Sequence, residues 1–317
     1  MIARFIFIPV ILAMAVAGLG QTGKPDSLTN SARELKVILL GTGTPQPVMD
    51  RFGPAILVQA GDENLLFDAG RGCLQRLNQL GLPYNKLTAV FFTHLHSDHV
   101  VGLPDLWLTG SLLSQRVQPF QLYGPAGTGK MIEYLQKAFS FDVGVRTDND
   151  PEELKGFTLL AVEIKQGTVY EKHGVKVIAF EVDHFPVTPA FGYRIEYKGR
   201  VVILSGDTRY SENLIKYSTG SDLLIHEVAI APVTLGQSEP GYNILTHHTS
   251  PEQAGTIFKT VKPKLAVYSH IISLYKQTEQ ELLRRTKTNY SGPLVSGTDL
   301  MSFTISDTIA VKPWLEK

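Results

Sequence analysis

The sequence contains a single cysteine, Cys73, so no intramolecular disulfide can form and stability has to come from core packing. A lone thiol of this kind is expected in the core. Net charge is also missing, with 30 basic against 30 acidic residues. Binding a nucleic-acid backbone through bulk charge requires clustered Lys and Arg, and this balance argues against it. The longest apolar run, from Phe5 to about Gly18, falls short of the roughly 20 residues that a membrane span needs. Repeats and low-complexity linkers are absent as well. With 43% hydrophobic residues, 33–317 therefore reads as one folded unit of α/β type.

The first residues, MIARFIFIPVILAMAVAGLGQTG, set Arg4 before an apolar run that ends in small residues. This is the layout of a signal peptide, expected at 1–20, with a linker at 21–32 before a domain at 33–317. Cleavage would leave a periplasmic or secreted protein, and the alternative is an uncleaved anchor. Removing the leader takes away only Arg4, leaving 29 basic and 30 acidic residues, and no cysteine follows it to accept a lipid.

Two passages share one construction, a β-rich apolar run ending in a polar loop: LTAVFFTHLHSDH and RVVILSGDTR. Further strands are expected at 35–41, 55–61, 64–70, 174–182, 191–197, 222–228 and 264–270. Helical spacing marks GCLQRLNQL, LPDLWLTGSLL, KMIEYLQKAF, PEQAGTIFKTV and TEQELLRRT. The segment 170–175 reads as a hairpin turn, with His173 in solvent.

THLHSDH places His94, His96, Asp98 and His99 within six residues, directly after the apolar run 88–92. His94 and His96 alternate on extended backbone and can point the same way, while Asp98 and His99 turn where a helix begins. Imidazole with carboxylate suits zinc, with manganese or iron as alternatives. Four donors in one loop do not complete two sites. His184, Asp207 and His270, each at the carboxyl end of an expected strand, are the distant candidates, because strand ends on one side of a sheet converge.

THLHSDH with a downstream His, GDT and a final His resembles the metallo-β-lactamase superfamily. GTGTPQPVMDRFGPA, FDAGRG, LYGPAG, DHFPVTPAFGYRI, SGDTR, LLIHE, HTSPEQA and YSH, in that order, are similar to its ribonuclease Z and zinc-dependent arylsulfatase branch. The resemblance implies a four-layer αβ/βα sandwich holding two zinc ions. It implies that His94, His96 and His184 hold one ion and that Asp98, His99 and His270 hold the other, with Asp207 bridging. Two such ions bring a bound water from a pKa of about 15.7 toward 7, giving hydroxide at neutral pH. Asp68 would orient a ligand. His248 aligns with a proton-donating histidine and Glu227 with the carboxylate that orients it, and Asp98 is counted with them in the catalytic set. His226 and His247 have no matching role and read as structural.

GPAGTGK at 124–130 nearly matches a phosphate-binding loop but fails at Met131, where a hydroxyl is required, so it reads as a strand-to-helix turn. In the stretch 126–183, where long-armed ribonuclease Z enzymes carry a basic arm, this chain has 7 Lys or Arg and 10 Asp or Glu. That acidity, together with the leader, makes nucleic acid an unexpected partner. The expected activity is hydrolysis of small anionic sulfate or phosphate esters, with Trp107 offered as an aryl wall and Arg51 and Arg209 as anion contacts. The rivals are a ribonuclease Z-type tRNA 3′-processing endonuclease or phosphodiesterase, a lactonase and a non-enzymatic metal module. Dimers are common among such relatives, although no self-complementary surface is legible in the sequence.

Overall fold

Along the buried strands, apolar side chains alternate between two cores. In strand β1 (Leu35–Gly41), Leu35, Val37 and Leu39 face one core while Ile38 and Leu40 face another. Successive strand side chains point to opposite sides, so an unbroken apolar run means that both faces are covered. The computed structural model describes residues 34–315 and shows this arrangement in the central strands, while the edge strands are partly exposed. The expected signal peptide and linker lie outside the described residues.

Strands β2 (Ala55–Ala60), β3 (Glu63–Phe67), β4 (Ala89–Phe91), β5 (Phe120–Gly124) and β6 (Leu159–Glu163) join β1 in the first sheet. A second sheet follows from β7 (Gly167–Lys172), β8 (Val175–His184), β9 (Val187–Tyr197), β10 (Arg200–Leu204), β11 (Leu223–Ile230), β12 (Leu265–Ser273) and β13 (Leu294–Ser296). The chain then returns to the first sheet with β14 (Ser302–Ile305) and β15 (Ile309–Lys312). The orders are β15-β14-β1-β2-β3-β4-β5-β6 and β13-β12-β11-β10-β9-β8-β7.

The inner core lies between the sheets, with Phe67, Phe91, Phe191, Tyr193, Val267 and Phe303 fully buried. Burying each such side chain contributes about 1.5–3 kcal/mol. Phe67 stacks on Phe91 at 5.0 Å, Tyr193 meets Phe67 at 5.1 Å, and the Tyr193 hydroxyl donates to the Phe92 carbonyl at 2.6 Å, tying the sheets together. Helices Cys73–Gln79, Leu103–Ser114 and Thr128–Ala138 cover the outer face of the first sheet. Helices Glu212–Ser218, Pro251–Val261 and Glu279–Thr286 cover the second. The result is the expected four-layer αβ/βα sandwich.

This topology fixes the place of the site. β3, β4 and β5 run parallel, as do β10, β11 and β12, and β8 shares their direction because β9 is antiparallel to both β8 and β10. The carboxyl ends of β4, β8, β10, β11 and β12 therefore emerge at one edge, where a ligand crevice is expected.

Candidate metal centre

The loop after β4 is pinned before it reaches the site. Asp68, which follows β3, accepts from the Thr93 amide at 2.8 Å and from its hydroxyl at 2.9 Å, and its Oδ2 lies 2.8 Å from His99 Nδ1. With Nδ1 tied to that carboxylate, His99 Nε2 is left to face the cluster. Gly70 permits the close packing: a Cβ there would lie 2.7 Å from the Asp98 carbonyl oxygen. Asp68 and His270 both hold left-handed backbone, at φ 60° and 47°. Such conformations cost on the order of 1–3 kcal/mol and are retained where surrounding contacts over-determine them.

The distant candidates converge on the loop as expected from the sequence. His94 Nε2 is 2.9 Å from His96 Nδ1, and His184 Nε2 is 3.3 Å from the same atom. His270 Nε2 and His99 Nε2 lie 3.3 and 3.6 Å from Asp98 Oδ2. Between the two groups stands Asp207, whose Oδ2 is 3.3 Å from His99, 3.5 Å from His270, 3.8 Å from His94 and 4.0 Å from His184. Donor atoms of His94, His96, His184 and Asp207 all fall within 4.8 Å of one another, and so do those of Asp98, His99 and His270.

These residues fit divalent ions. Two imidazole nitrogens 2.9 Å apart need a proton or a cation between them, and His99 Nε2 is buried without a hydrogen-bond partner. Burial alone would raise the Asp207 carboxyl, but His270 and His99 outweigh it and hold the group well below the usual carboxylate range. Burial would likewise lower His99, yet Asp207 and Asp68 hold it well above the usual imidazole value. Burial together with its charged neighbour His99 drives His94 well down. Borderline nitrogen and oxygen donors in two groups sharing one carboxylate suit a pair of zinc-like cations.

His248 sits at the rim of this cluster, with Asp207 and His270 within ligand reach. Its Nδ1 is 3.2 Å from Glu227 Oε2, while Glu227 Oε1 accepts from the Thr249 amide at 2.8 Å. Burial pulls the His248 imidazolium down, and the Glu227 carboxylate more than reverses this, lifting it to about 9.

Residues 35–250 match the family described as anti-Pycsar protein Apyc1. Ribonuclease Z of Mycolicibacterium gilvum (strain PYR-GCK) is 32% identical over 286 residues, covering 88% of this chain and 99% of that protein. The chain belongs to the ribonuclease Z branch of the metallo-β-lactamase superfamily. Two solved structures share its fold. The metallo-β-lactamase fold protein YhfI of Bacillus subtilis has a TM-score of 0.67 at 21% identity, covering 86% of this chain and 99% of its own. Human tRNase Z, short form, has a TM-score of 0.64 at 24% identity, covering 86% and 98%.

Membership in this branch makes the chain a metal-dependent hydrolase and overturns two expectations drawn from sequence. The exported hydrolase of small sulfate or phosphate esters gives way to the ribonuclease Z reading, and nucleic acid can no longer be set aside as a partner. The acidity of 126–183 persists in the fold, because the ion pairs there match one acid to one base and leave its net charge unchanged. Lys137 pairs with Glu133, Arg146 with Asp142 and Lys155 with Glu152, each one helical turn apart. The residues of that stretch line neither the ligand clusters nor the cavity beside them, so its charge says little about the metal edge.

Position in this fold decides the remaining expectations, some corrected and some upheld. Trp107 is core and no aryl wall: it is fully buried, and its indole N–H donates to the Phe157 carbonyl at 2.8 Å. His173 lies in the expected turn and is largely exposed, with its Nδ1 also 2.5 Å from the buried Glu63 carboxylate. In GPAGTGK, the Gly127 and Gly129 amides already donate to Glu163 Oε1 at 2.9 and 3.1 Å, the role a phosphate would have filled. Arg209 turns to Asp183 and the Phe185 carbonyl. His226 is buried against Phe258, whereas the His247 carbonyl lies 2.9 Å from His184 Nδ1 and orients that ring. Sequence reasoning missed that last role because it belongs to a backbone atom.

A cavity of about 530 Å³ opens beside the cluster, walled by Ile230, Ile244, Ile271 and Leu282, with Asp98, Asp207, His248 and Arg51 on its polar side. Its size suits a small organic group of a substrate.

Proposed function

We propose that this chain is a two-zinc phosphodiesterase of ribonuclease Z type that cleaves RNA phosphodiester bonds, with 3′ processing of precursor tRNA as its leading activity. The observation carrying this reading is the Asp207 carboxylate, within 4.0 Å of histidines from both ligand groups. His94, His96, His184 and Asp207 would hold one ion, and Asp98, His99, His270 and Asp207 the other. When bound, such a pair supplies a water acidified enough to attack at neutral pH and offsets charge on the attacked phosphate. The name of the relatives directs the substrate to RNA.

The protein's own groups account for the rest of the chemistry. Asp68 fixes the His99 ring, and the His247 carbonyl fixes His184. Glu227 keeps a proton on His248, which stands where a departing alkoxide would need one. Arg51 in the cavity wall favours an anionic substrate over a lactone, which needs no cation. The direct test is cleavage of 3′-extended precursor tRNA by the purified zinc form; an untouched RNA beside rapid lactone opening would refute the proposal.

Export, which we propose separately on the leader-like residues 1–20, competes with the precursor tRNA substrate, because precursor tRNA is matured inside the cell and an exported chain would meet other phosphodiesters. N-terminal sequencing of protein recovered outside the cytoplasm should begin near residues 18–22, and an intact Met1 would count against cleavage.

A further inference from the structure

Arg51 lines the cavity beside Asp98 and Asp207, and its position is built from two remote points. Its Nη1 donates to the Thr42 hydroxyl at 2.8 Å and to the Gly297 carbonyl at 2.7 Å. The Thr42 hydroxyl in turn donates to Asp299 Oδ1 at 2.8 Å, which leaves its lone pairs aimed at the guanidinium. Asp299 also accepts from the Thr42 amide at 2.9 Å and the Phe52 amide at 2.8 Å, clamping both ends of the loop that carries Arg51.

The charges in this network are divided unequally. Asp299 is neutralised by Arg76, 3.0 Å from its Oδ2, and not by Arg51. Among the described residues no carboxylate forms an ion pair with Arg51, and its Nε and Nη2 groups donate to none of them. A guanidinium fixed at one nitrogen, lacking a dedicated counter-ion and bordering a catalytic cavity is arranged to receive an anion.

We propose that Arg51 binds a non-bridging phosphate oxygen of the substrate, and that Thr42 and Asp299 are positioning residues acting through it. This rests on the phosphodiesterase reading. Arg51 lines the same cavity as His96 and His270, so a phosphate entering it can meet the guanidinium and the ligand groups together. Thr42 and Asp299 touch no substrate; their contribution is to remove rotameric freedom from the guanidinium before binding, so that less is lost when the complex forms.

The test compares the zinc-loaded full chain with Arg51→Ala, Thr42→Val and the double variant, using bis(4-nitrophenyl) phosphate turnover and calorimetric titration with 5′-AMP. Thr42→Val nearly preserves shape and removes only the relay hydroxyl. Arg51→Ala is expected to raise KM and weaken AMP binding by about 10- to 100-fold, the range for hydrogen bonds to a charged group. Thr42→Val should cost roughly 5- to 20-fold in the same two quantities, and the double variant should match Arg51→Ala alone, because coupled residues are not additive. Zinc content should stay at the parent value in Thr42→Val, while the thermal midpoint falls by a few degrees because the buried Asp299 carboxylate loses a donor. Additive losses in the double variant, or AMP affinity within about twofold of the parent in Arg51→Ala, would overturn the proposal. If the parent fails to hydrolyse the diester, the phosphodiesterase reading falls, while the AMP titration still decides whether Arg51 and its relay hold phosphate.

Discussion

Asp207 Oδ2 lies 3.3 Å from His99 Nε2, and the same oxygen lies 3.8 Å from His94 Nε2 in the opposite ligand group. One atom thus serves two groups of donors. Asp207→Ala should therefore strip both ions, whereas His96→Ala, which touches one group, should retain roughly half the metal. Elemental analysis of the purified variants measures this directly, and full zinc in Asp207→Ala would remove the shared-ligand assignment.

The Glu227 and His248 pair sets a second expectation. His248→Ala should keep the metals while turnover falls about 10²- to 10⁴-fold, most for poor leaving groups. The protonated form of His248 is present below its pKa and is lost as pH rises through it. Glu227→Gln removes the carboxylate that lifts this value to about 9, so the alkaline limb of the rate profile should move to lower pH. A limb unmoved in Glu227→Gln would separate the pair from proton donation.

Asp68 acts through others. Its replacement by Ala leaves the Thr93 amide and His99 Nδ1 without their acceptor in a buried setting. Zinc affinity should fall about 10- to 100-fold, and unfolding free energy should drop by about 1–3 kcal/mol. Chelator competition and urea titration measure the two, and a change in stability without a change in affinity would reduce Asp68 to a turn residue.

Trp107 should behave as packing. Trp107→Ala is expected to cost about 3–5 kcal/mol of stability with KM for aryl phosphodiesters unchanged, since the ring is buried against Phe139 with its N–H on Phe157. A raised KM at parental stability would return it to the substrate pocket.

Much of the metal site was legible because its chemistry is local in sequence. THLHSDH announces itself, and EVDHF, SGD and YSH each place a donor at the end of an apolar run that the structure shows as β8, β10 and β12. Helices Ser140–Thr147 and Pro151–Gly156 escaped notice because they are short, with Phe141 and Val145 exposed and no continuous apolar face. The Arg51–Thr42–Asp299 relay was invisible for another reason. Thr42 and Asp299 are 257 residues apart, and only the pairing of β1 with β14 brings their segments together. Substrate class was misjudged because the acidic stretch that weighed against RNA does not line the site.

The central claim is that this metal cluster cuts RNA, and cleavage of a 3′-extended precursor tRNA by the zinc-loaded protein tests it most directly, with Asp207→Ala as the control. Scission at a phosphodiester bond near the 3′ extension, abolished in the variant and by chelation, is the expected result. Intact RNA under conditions where the same preparation hydrolyses an aryl sulfate would contradict it.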